Sequence, residues 1–288
     1  MSTEIWTVRS ILQWTAQWLG KYDVDSPRLD GELLLAYALK VERIQLFLDP
    51  DRPLIPEELS QFKALIKRRA AREPVAYILG ERAFLHWNLK VTPGVLIPRP
   101  ETEHLVQSCI EHFAQAERSP ESILDMGVGS GAIILALMDH FSEARGVGVD
   151  ISPDALACAR VNGERLGLNG RMRWFESDYG AAVPAGERFD LITSNPPYIS
   201  KADLAELEPD VRDWEPTLAL DGGEDGLDAY RVLIPQAVER LNSAGLLAVE
   251  IGYDQGEAVF GMMQGAGLKG VRVIKDYSEH DRVVMAFL

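Results

Sequence analysis

Residues 122–131 read Ser-Ile-Leu-Asp-Met-Gly-Val-Gly-Ser-Gly, a short apolar run followed by glycines at alternate positions. The run predicts a buried strand, and Gly131–Phe141 predicts the helix that follows it. Glycines at a strand-to-helix junction permit a tight turn and let a ligand approach the backbone. The N–H groups that open the helix can receive an anionic group. Through Gly127, Gly129 and Ala132 the loop also matches a dinucleotide fingerprint loosely, so it leaves the ligand class open.

Beyond this loop, strand and helix patterns alternate from about residue 101 onward. Predicted strands are Ser122–Met126, Gly146–Asp150, Met172–Glu176, Phe189–Ser194 and Leu246–Ile251, with further helices at Pro153–Leu166 and Leu227–Leu241. Alternating units predict a parallel sheet covered on both faces. The tail predicts two successive strands, Val271–Lys275 and Arg282–Phe287. An antiparallel pair that ends such a sheet is expected of a Rossmann-like methyltransferase.

The N-terminal part has a different pattern, which predicts a small helical-bundle domain over residues 1–80. Its predicted inward-facing residues are Val8, Ile11, Leu12, Thr15, Trp18 and Leu19, then Leu29, Leu33, Leu34 and Tyr37, then Leu59, Phe62 and Leu65. Residues 81–100 predict a β-hairpin linker that turns at Thr92-Pro93-Gly94. Residues 101–288 then form the α/β domain.

Composition limits the function classes. The chain has 288 residues and a formal charge of −15, which disfavours nucleic acid as a direct partner unless a basic face is segregated. Cys109 and Cys158 form no disulfide framework, and the five histidines are scattered, so we expect no metal. Residues 1–6 lack the features of a signal peptide, and no apolar stretch is long enough to span a bilayer. A monomeric cytoplasmic protein without membrane contact is the expectation.

Acidic side chains follow the predicted strands. Asp150 ends the second strand, where a carboxylate can accept both ribose hydroxyls of an adenosine. Asp178 and Tyr179 follow the third strand, where they are placed to contact an adenine base. Since the glycine loop contains no Lys or Arg, a pocket rimmed by Asp125, Asp150 and Asp178 favours a cationic ligand. This pattern indicates S-adenosylmethionine, whose sulfonium is positively charged.

A second motif, Asn195-Pro196-Pro197-Tyr198, follows the predicted strand Phe189–Ser194. The prolines fix the backbone and lack N–H donors. The Asn195 side-chain oxygen and the Pro196 carbonyl can therefore both accept hydrogen bonds from one planar NH2 group, with Tyr198 as a flat wall. Such a group occurs on an amide and on an exocyclic base amine.

Taken together, these residues make the chain similar to the HemK/PrmC family of protein-(glutamine-N5) methyltransferases, which modify peptide chain release factors. The similarity includes Pro74–Gly80, Leu96–Glu103, Glu215–Gly223 and Gly226–Tyr230. One departure lies in the loop, where Met126 and Val128 replace the usual Leu and Thr.

The resemblance implies a Rossmann-like class I S-adenosylmethionine-dependent methyltransferase with a mostly parallel, seven-stranded sheet. Its substrate would be the glutamine of the Gly-Gly-Gln motif in class 1 release factors. The residues that carry these roles by resemblance are Asn195, Pro196, Pro197 and Tyr198 for the substrate, and Gly127, Val128, Gly129, Ser130, Gly131, Asp150, Asp178, Tyr179 and Asn195 for the cofactor.

Several alternatives stay open. A nucleic-acid methyltransferase that acts on adenine N6 or guanine N2 uses a similar turn, and a ribosomal-protein glutamine methyltransferase is a further candidate. A nicotinamide-dependent dehydrogenase or a non-catalytic adenosyl-binding module would not require the intact Asn195 motif.

The basic stretch from Lys63 to Arg72 is either a docking patch or a solvated helix face. Pro98–Glu101 either lines the pocket or forms a corner between domains, and Glu250 either faces the pocket or lies at the edge of the core.

Overall fold

The computed structural model describes residues 5–288, which fall into two compact units. Unit 1 comprises the described residues up to Gly80 with Glu208–Trp214, and unit 2 comprises Glu81–Leu207 with Glu215–Leu288. Within residues 5–288, no helix has both the length and the apolar character needed to cross a membrane.

Unit 1 is helical. Its helices are α1 (Val8–Leu19), α2 (Pro27–Leu39), α3 (Gln45–Leu48), α4 (Pro56–Ala70) and α5 (Val75–Leu79). The Thr7 side chain caps α1 by accepting from the Ser10 N–H, and Gly20 follows the helix. Side chains from these helices share one apolar core, which includes Val8, Ile11, Leu19, Leu34, Leu35, Phe62 and Ile66.

The predicted inward face of α2 is right at Leu34 and wrong at Leu29 and Tyr37. Leu29 and Tyr37 are 41% and 52% exposed, whereas Leu34, Leu35 and Ala38 are buried. The reason lies at Gly31, where an added Cβ would stand 3.0 Å from Cγ2 of Thr15 on α1. This glycine lets the two helices approach closely, so the face of α2 that carries Gly31, Leu34 and Leu35 turns inward.

Unit 2 holds nine strands among the described residues. They are β1 (Glu81–Phe84), β2 (Trp87–Lys90), β3 (Ser122–Met126), β4 (Arg145–Asp150), β5 (Met172–Glu176), β6 (Phe189–Ser194), β7 (Leu241–Glu250), β8 (Lys269–Lys275) and β9 (Asp281–Phe287). The later helices are α6 (Glu103–Gln115), α7 (Ala132–His140), α8 (Pro153–Arg165), α9 (Lys201–Leu204), α10 (Pro209–Arg212), α11 (Asp228–Arg240) and α12 (Gly256–Gly265). Of these, α10 belongs to unit 1.

The main sheet has seven strands in the order β5-β4-β3-β6-β7-β9-β8. The first five are parallel, and β9 pairs antiparallel with both β7 and β8. Neighbouring residues Ile123 and Leu124 of β3 pack into two different apolar clusters, so both faces of the sheet are covered. The predicted α/β architecture with its terminal antiparallel pair is confirmed.

The hairpin before this sheet turns at a different place from the one predicted. Strands β1 and β2 pair from Glu81↔Lys90 to Phe84↔Trp87, so the turn is Leu85-His86 and not Thr92-Pro93-Gly94. Phe84 and Leu89 are each 1% exposed. In one continuous strand they would point to opposite faces because their spacing is odd, and the reversal lets both enter the core.

The segment Glu208–Trp214 joins unit 1 through buried ion pairs. Arg69 is bound to Asp30 and to Asp210, each at 2.6 Å, and its side chain is only 5% exposed. Arg72 pairs with Asp210 as well, and Arg68 pairs with Glu73 at 2.5 Å. Three of the five basic residues between Lys63 and Arg72 are therefore used inside unit 1, which leaves no five-residue basic patch for docking.

Candidate active site

A cavity of about 200 Å³ lies at the carboxyl edge of the main sheet in unit 2. Strand order reverses between β3 and β6, and ligands of open α/β sheets bind at such a reversal. The lining comes from the loops that follow β3, β4, β5 and β6 and from two further segments. It consists of Gly94, Val95, Leu96, Gly127, Gly129, Asp150, Ile151, Ser152, Ala155, Ser177, Asp178, Tyr179, Asn195, Pro196, Pro197, Pro216, Leu218 and Ala219.

The glycine loop exposes its backbone to this cavity. Gly127 and Gly129 have φ values of +79° and +54°, a backbone region that residues other than glycine rarely adopt. The Gly127 N–H donates to the Val149 carbonyl at 2.9 Å, which ties the loop to the end of β4. A Cβ on Gly129 would meet no atom within 4 Å, so the space above this residue is open to a ligand.

Asp150 connects the glycine loop to the next helix. Its Oδ2 accepts from the Gly129 N–H at 2.8 Å, and its Oδ1 accepts from the Ser152 N–H at 2.9 Å. Burial nevertheless raises the pKa of Asp150 above its ordinary value, although these backbone donors oppose the rise. The Ser152 hydroxyl accepts from the Ala155 N–H and so caps α8.

Asp178 and Tyr179 form another wall of the cavity, just after β5. Tyr179 holds a left-handed backbone conformation with φ of +48°, which is uncommon for an aromatic residue. Burial, with the nearby carboxylates of Asp178 and Asp150, raises the pKa of Tyr179 to about 12. The phenol is therefore neutral at ordinary pH.

Asn195, Pro196 and Pro197 line the same cavity from the end of β6. Two hydrogen bonds hold the ends of β6 and β3 together: Thr193 donates to Asp125 at 2.8 Å, and Ser194 donates to the Met126 carbonyl at 2.5 Å. This fastening fixes the motif against the glycine loop, so the predicted cofactor and substrate residues meet at one place.

Other predicted residues lie outside the lining. Val128 and Ser130 are each 4% exposed, and Gly131 opens α7. The Tyr198 ring packs at the edge of the core, where burial raises its pKa to about 12. Asp125, expected at the rim, is fully buried beneath the loop, and burial raises its pKa to about 7.

Sequence reasoning assigned no site role to the segments 94–96 and 216–219, although both line the cavity. Glu215, which is 5% exposed, joins them: it accepts from the Ile97 N–H at 3.0 Å and from Arg99 at 2.5 Å. Part of the signal was present in the sequence, since Leu96 and residues 216–219 lie in stretches that resemble the family. The Arg99 guanidinium is held in this ion pair, and none of Pro98–Glu101 lines the cavity.

A larger cavity of about 840 Å³ lies at the opposite, amino edge of the sheet. Three of the four arginines that line it have partners: Arg171 donates to the Met138 carbonyl at 2.6 Å, Arg118 donates to the Ala244 carbonyl at 2.7 Å, and Arg173 pairs with Glu187, while Arg145 is exposed. The carboxyl-edge cavity is therefore the candidate active site. In the part of the chain that the structure describes, no group of three or more His, Cys, Asp or Glu side chains could hold a metal ion.

Solved structures show the same fold. A Thermus thermophilus 16S rRNA N2 G1207 methyltransferase, solved with AdoMet and guanosine, aligns with a TM-score of 0.53 at 20% identity, over 72% of this chain and 49% of that one. A methyltransferase from Pyrococcus furiosus aligns with a TM-score of 0.52 at 20% identity, over 79% and 98%. The fold and the acidic, glycine-lined cavity define an S-adenosylmethionine-dependent methyltransferase.

Sequence comparison gives the family. Residues 10–80 match the PrmC N-terminal domain, and residues 123–213 match a methyltransferase domain. A release factor glutamine methyltransferase of Geobacter sulfurreducens is 46% identical over 98% of this chain and 96% of its own length. Its counterpart from Caulobacter vibrioides is 44% identical over 97% and 96%. The chain belongs to the release factor glutamine methyltransferase family.

Proposed function

We propose that this enzyme transfers a methyl group from S-adenosylmethionine to the side-chain amide nitrogen of the glutamine in the Gly-Gly-Gln motif of class 1 release factors. The observation that carries the proposal is the placement of Asn195, Pro196 and Pro197 in the same cavity as the glycine loop and Asp150. The turn at Asn195, which can accept hydrogen bonds from an NH2 group, therefore lies beside a site suited to adenosine.

The cavity residues fit the cofactor. Asp150 and Asp178 supply negative charge, Ile151 is 51% exposed beside them, and Gly129 leaves open space above the loop. We assign Gly127 to Gly131, Asp150, Asp178 and Tyr179 to cofactor binding. When bound, S-adenosylmethionine supplies an activated methyl group on a positively charged sulfur.

The protein's contribution is to orient the amide. Its nitrogen lone pair is delocalised into the carbonyl, so positive charge must develop on nitrogen as the new bond forms. The Asn195 side-chain oxygen and the Pro196 carbonyl accept the two N–H groups and stabilise that charge, and alignment supplies the rest by proximity. The extra proton leaves to solvent after transfer, and Tyr198 supports the turn.

The remaining assignments concern partners. We propose that residues 1–80 recognise the release factor, that 81–100 link the two parts, and that 101–288 carry catalysis. Unit 1 offers exposed apolar side chains for such contact, since Ile44 and Leu48 are 63% and 76% exposed. With a net charge of −15 we expect no direct nucleic-acid substrate, and we expect a monomer working in the cytoplasm.

A methylation assay tests the proposal. The enzyme is incubated with labelled cofactor and an unmodified release factor, and the label is located by peptide mass. We expect it on the Gly-Gly-Gln glutamine, and we expect Asn195→Ala to lower kcat about 100- to 1000-fold while leaving cofactor affinity nearly unchanged. Label on RNA or DNA, or full turnover by the variant, would contradict the assigned reaction.

A further inference from the structure

Glu250 is a buried carboxyl group close to the candidate active site. It ends β7, its residue is 1% exposed, and it does not line the cavity. Burial raises its pKa to about 7, while a hydrogen bond from Thr102 and the charge of Arg282 oppose the rise. Its Oε2 atom has no hydrogen-bond partner within residues 5–288. Burying such a group is unfavourable, so its retention calls for a role.

Thr102 connects this carboxyl group to the cavity. It directly precedes α6, it is 4% exposed, and its Oγ1 lies 3.2 Å from Nδ2 of Asn195. A hydroxyl group has one hydrogen and two acceptor lone pairs. The Asn195 Nδ2 group donates to this oxygen, so Thr102 is the acceptor in that contact. Thr102 also lies beside Glu250, where its hydroxyl hydrogen can be given to the carboxylate.

We propose that Thr102 and Glu250 are positioning residues that fix which way the Asn195 side-chain amide faces. With Nδ2 held by Thr102, Oδ1 is the atom left to accept from the substrate. The inference rests on the proposed function, since it explains how one acceptor in that mechanism is kept in place.

The direction of the amide decides whether the site works. An asparagine side chain rotated by 180° has nearly the same shape but presents an NH2 group instead of an oxygen. That NH2 would oppose the NH2 of the glutamine, so two donors would meet without an acceptor. Above pH 7 the Glu250 carboxyl group is ionised and can only accept, so it sets the direction of the whole chain of hydrogen bonds, which an isolated hydroxyl cannot do.

The test compares two substitutions at one position. Thr102→Val keeps the shape and removes the hydroxyl, and we expect kcat to fall about 3- to 10-fold, the equivalent of one net hydrogen bond, with little change in cofactor Kd. Thr102→Ser keeps the hydroxyl and should restore most of the rate. Thr15→Val is the matched control, because Thr15 is a buried threonine of unit 1, and its kcat should be unchanged. Equal rates for the Val and Ser variants would overturn the inference.

A second test changes the direction of the chain. Asn195→Asp has no N–H to give Thr102, so two carboxylates compete for one hydrogen and kcat falls. Adding Glu250→Gln supplies a donor at the other end and should recover about 3- to 10-fold of that loss. If Glu250→Gln changes kcat by the same factor with Asn195 in place and in the Asn195→Asp variant, Glu250 and Asn195 are not coupled and the inference fails.

Failure of the proposed function can be distinguished from failure of the positioning role. If the unsubstituted enzyme leaves the Gly-Gly-Gln glutamine unlabelled, the proposed function fails and the inference fails with it. If that glutamine is labelled but the Thr102 variants behave alike, only the positioning role is overturned.

Discussion

We expect Asp150→Asn to weaken cofactor binding while leaving the stability of the ligand-free protein nearly unchanged. The substitution removes one charge and replaces an acceptor by an NH2 group that must face the N–H of Gly129 or of Ser152. Since burial raises the pKa of Asp150 despite its two backbone donors, the charged form gains little from folding. We therefore expect the free energy of unfolding without cofactor to change by less than about 1 kcal/mol.

Cofactor affinity should respond more strongly. Asp150 lines the cavity and is the residue proposed to accept the ribose hydroxyls. Losing a charged acceptor in such a contact costs about 1.5–3 kcal/mol, which corresponds to about a 10- to 150-fold weaker Kd. Titration calorimetry with S-adenosylmethionine measures the affinity, and urea unfolding of the ligand-free protein measures the stability.

Asp190 provides the matched control at the other edge of the sheet. Burial pushes its pKa upward, but hydrogen bonds from Asn242, Glu121 and Ser122 outweigh this and lower its pKa overall. Asp190→Asn should therefore destabilise the fold by about 1–2 kcal/mol and leave cofactor Kd unchanged. Unchanged cofactor affinity in Asp150→Asn, or equal loss of stability in both variants, would refute the reasoning.

Three further outcomes are expected. Glu250→Gln should change how stability depends on pH in urea unfolding of the ligand-free protein. Because the pKa of Glu250 is raised to about 7, the native carboxyl group contributes stability below pH 4.5 and loses it as the pH rises to 7. Relative to the unsubstituted protein, the variant should therefore gain up to about 3 kcal/mol between pH 5 and pH 8. Gly131→Ala should lower the free energy of unfolding by about 1–3 kcal/mol in a thermal unfolding experiment. Gly131 has φ of +86°, and an added Cβ would lie 2.8 Å from Leu135 Cδ1. Asp210→Ala leaves Arg69 with one carboxylate fewer and should destabilise unit 1 by about 3 kcal/mol, measured by urea unfolding.

Most of the sheet could be predicted from the sequence because its strands are short apolar runs between polar loops. The ends of β3, β5 and β6 coincide with the predicted ones. Helix α12 was not predicted, since its three glycines weaken the helical signal; the burial of Val259 and Met263 stabilises it instead. The hairpin turn was misplaced because Leu85-His86 carries no glycine or proline to mark it.

The candidate site was predicted in part for a similar reason. Residues that follow the parallel strands, such as Asp150 and Asn195, could be placed together because the carboxyl ends of those strands share one edge. Leu96 and Leu218 could not be placed together from the sequence. They are 122 positions apart (218 − 96), and Glu215 rather than the sheet joins their two segments. The link from Glu250 through Thr102 to Asn195 depends on side-chain directions that no sequence pattern encodes.

The acidic lining also bears on how the reaction cycle ends. On the proposed assignment, Asp150 and Asp178 lie beside a positively charged sulfonium, and methyl transfer converts that sulfonium into a neutral thioether. The attraction that helps to load the site therefore disappears in the step that uses it, so the spent cofactor is held less firmly than the fresh one.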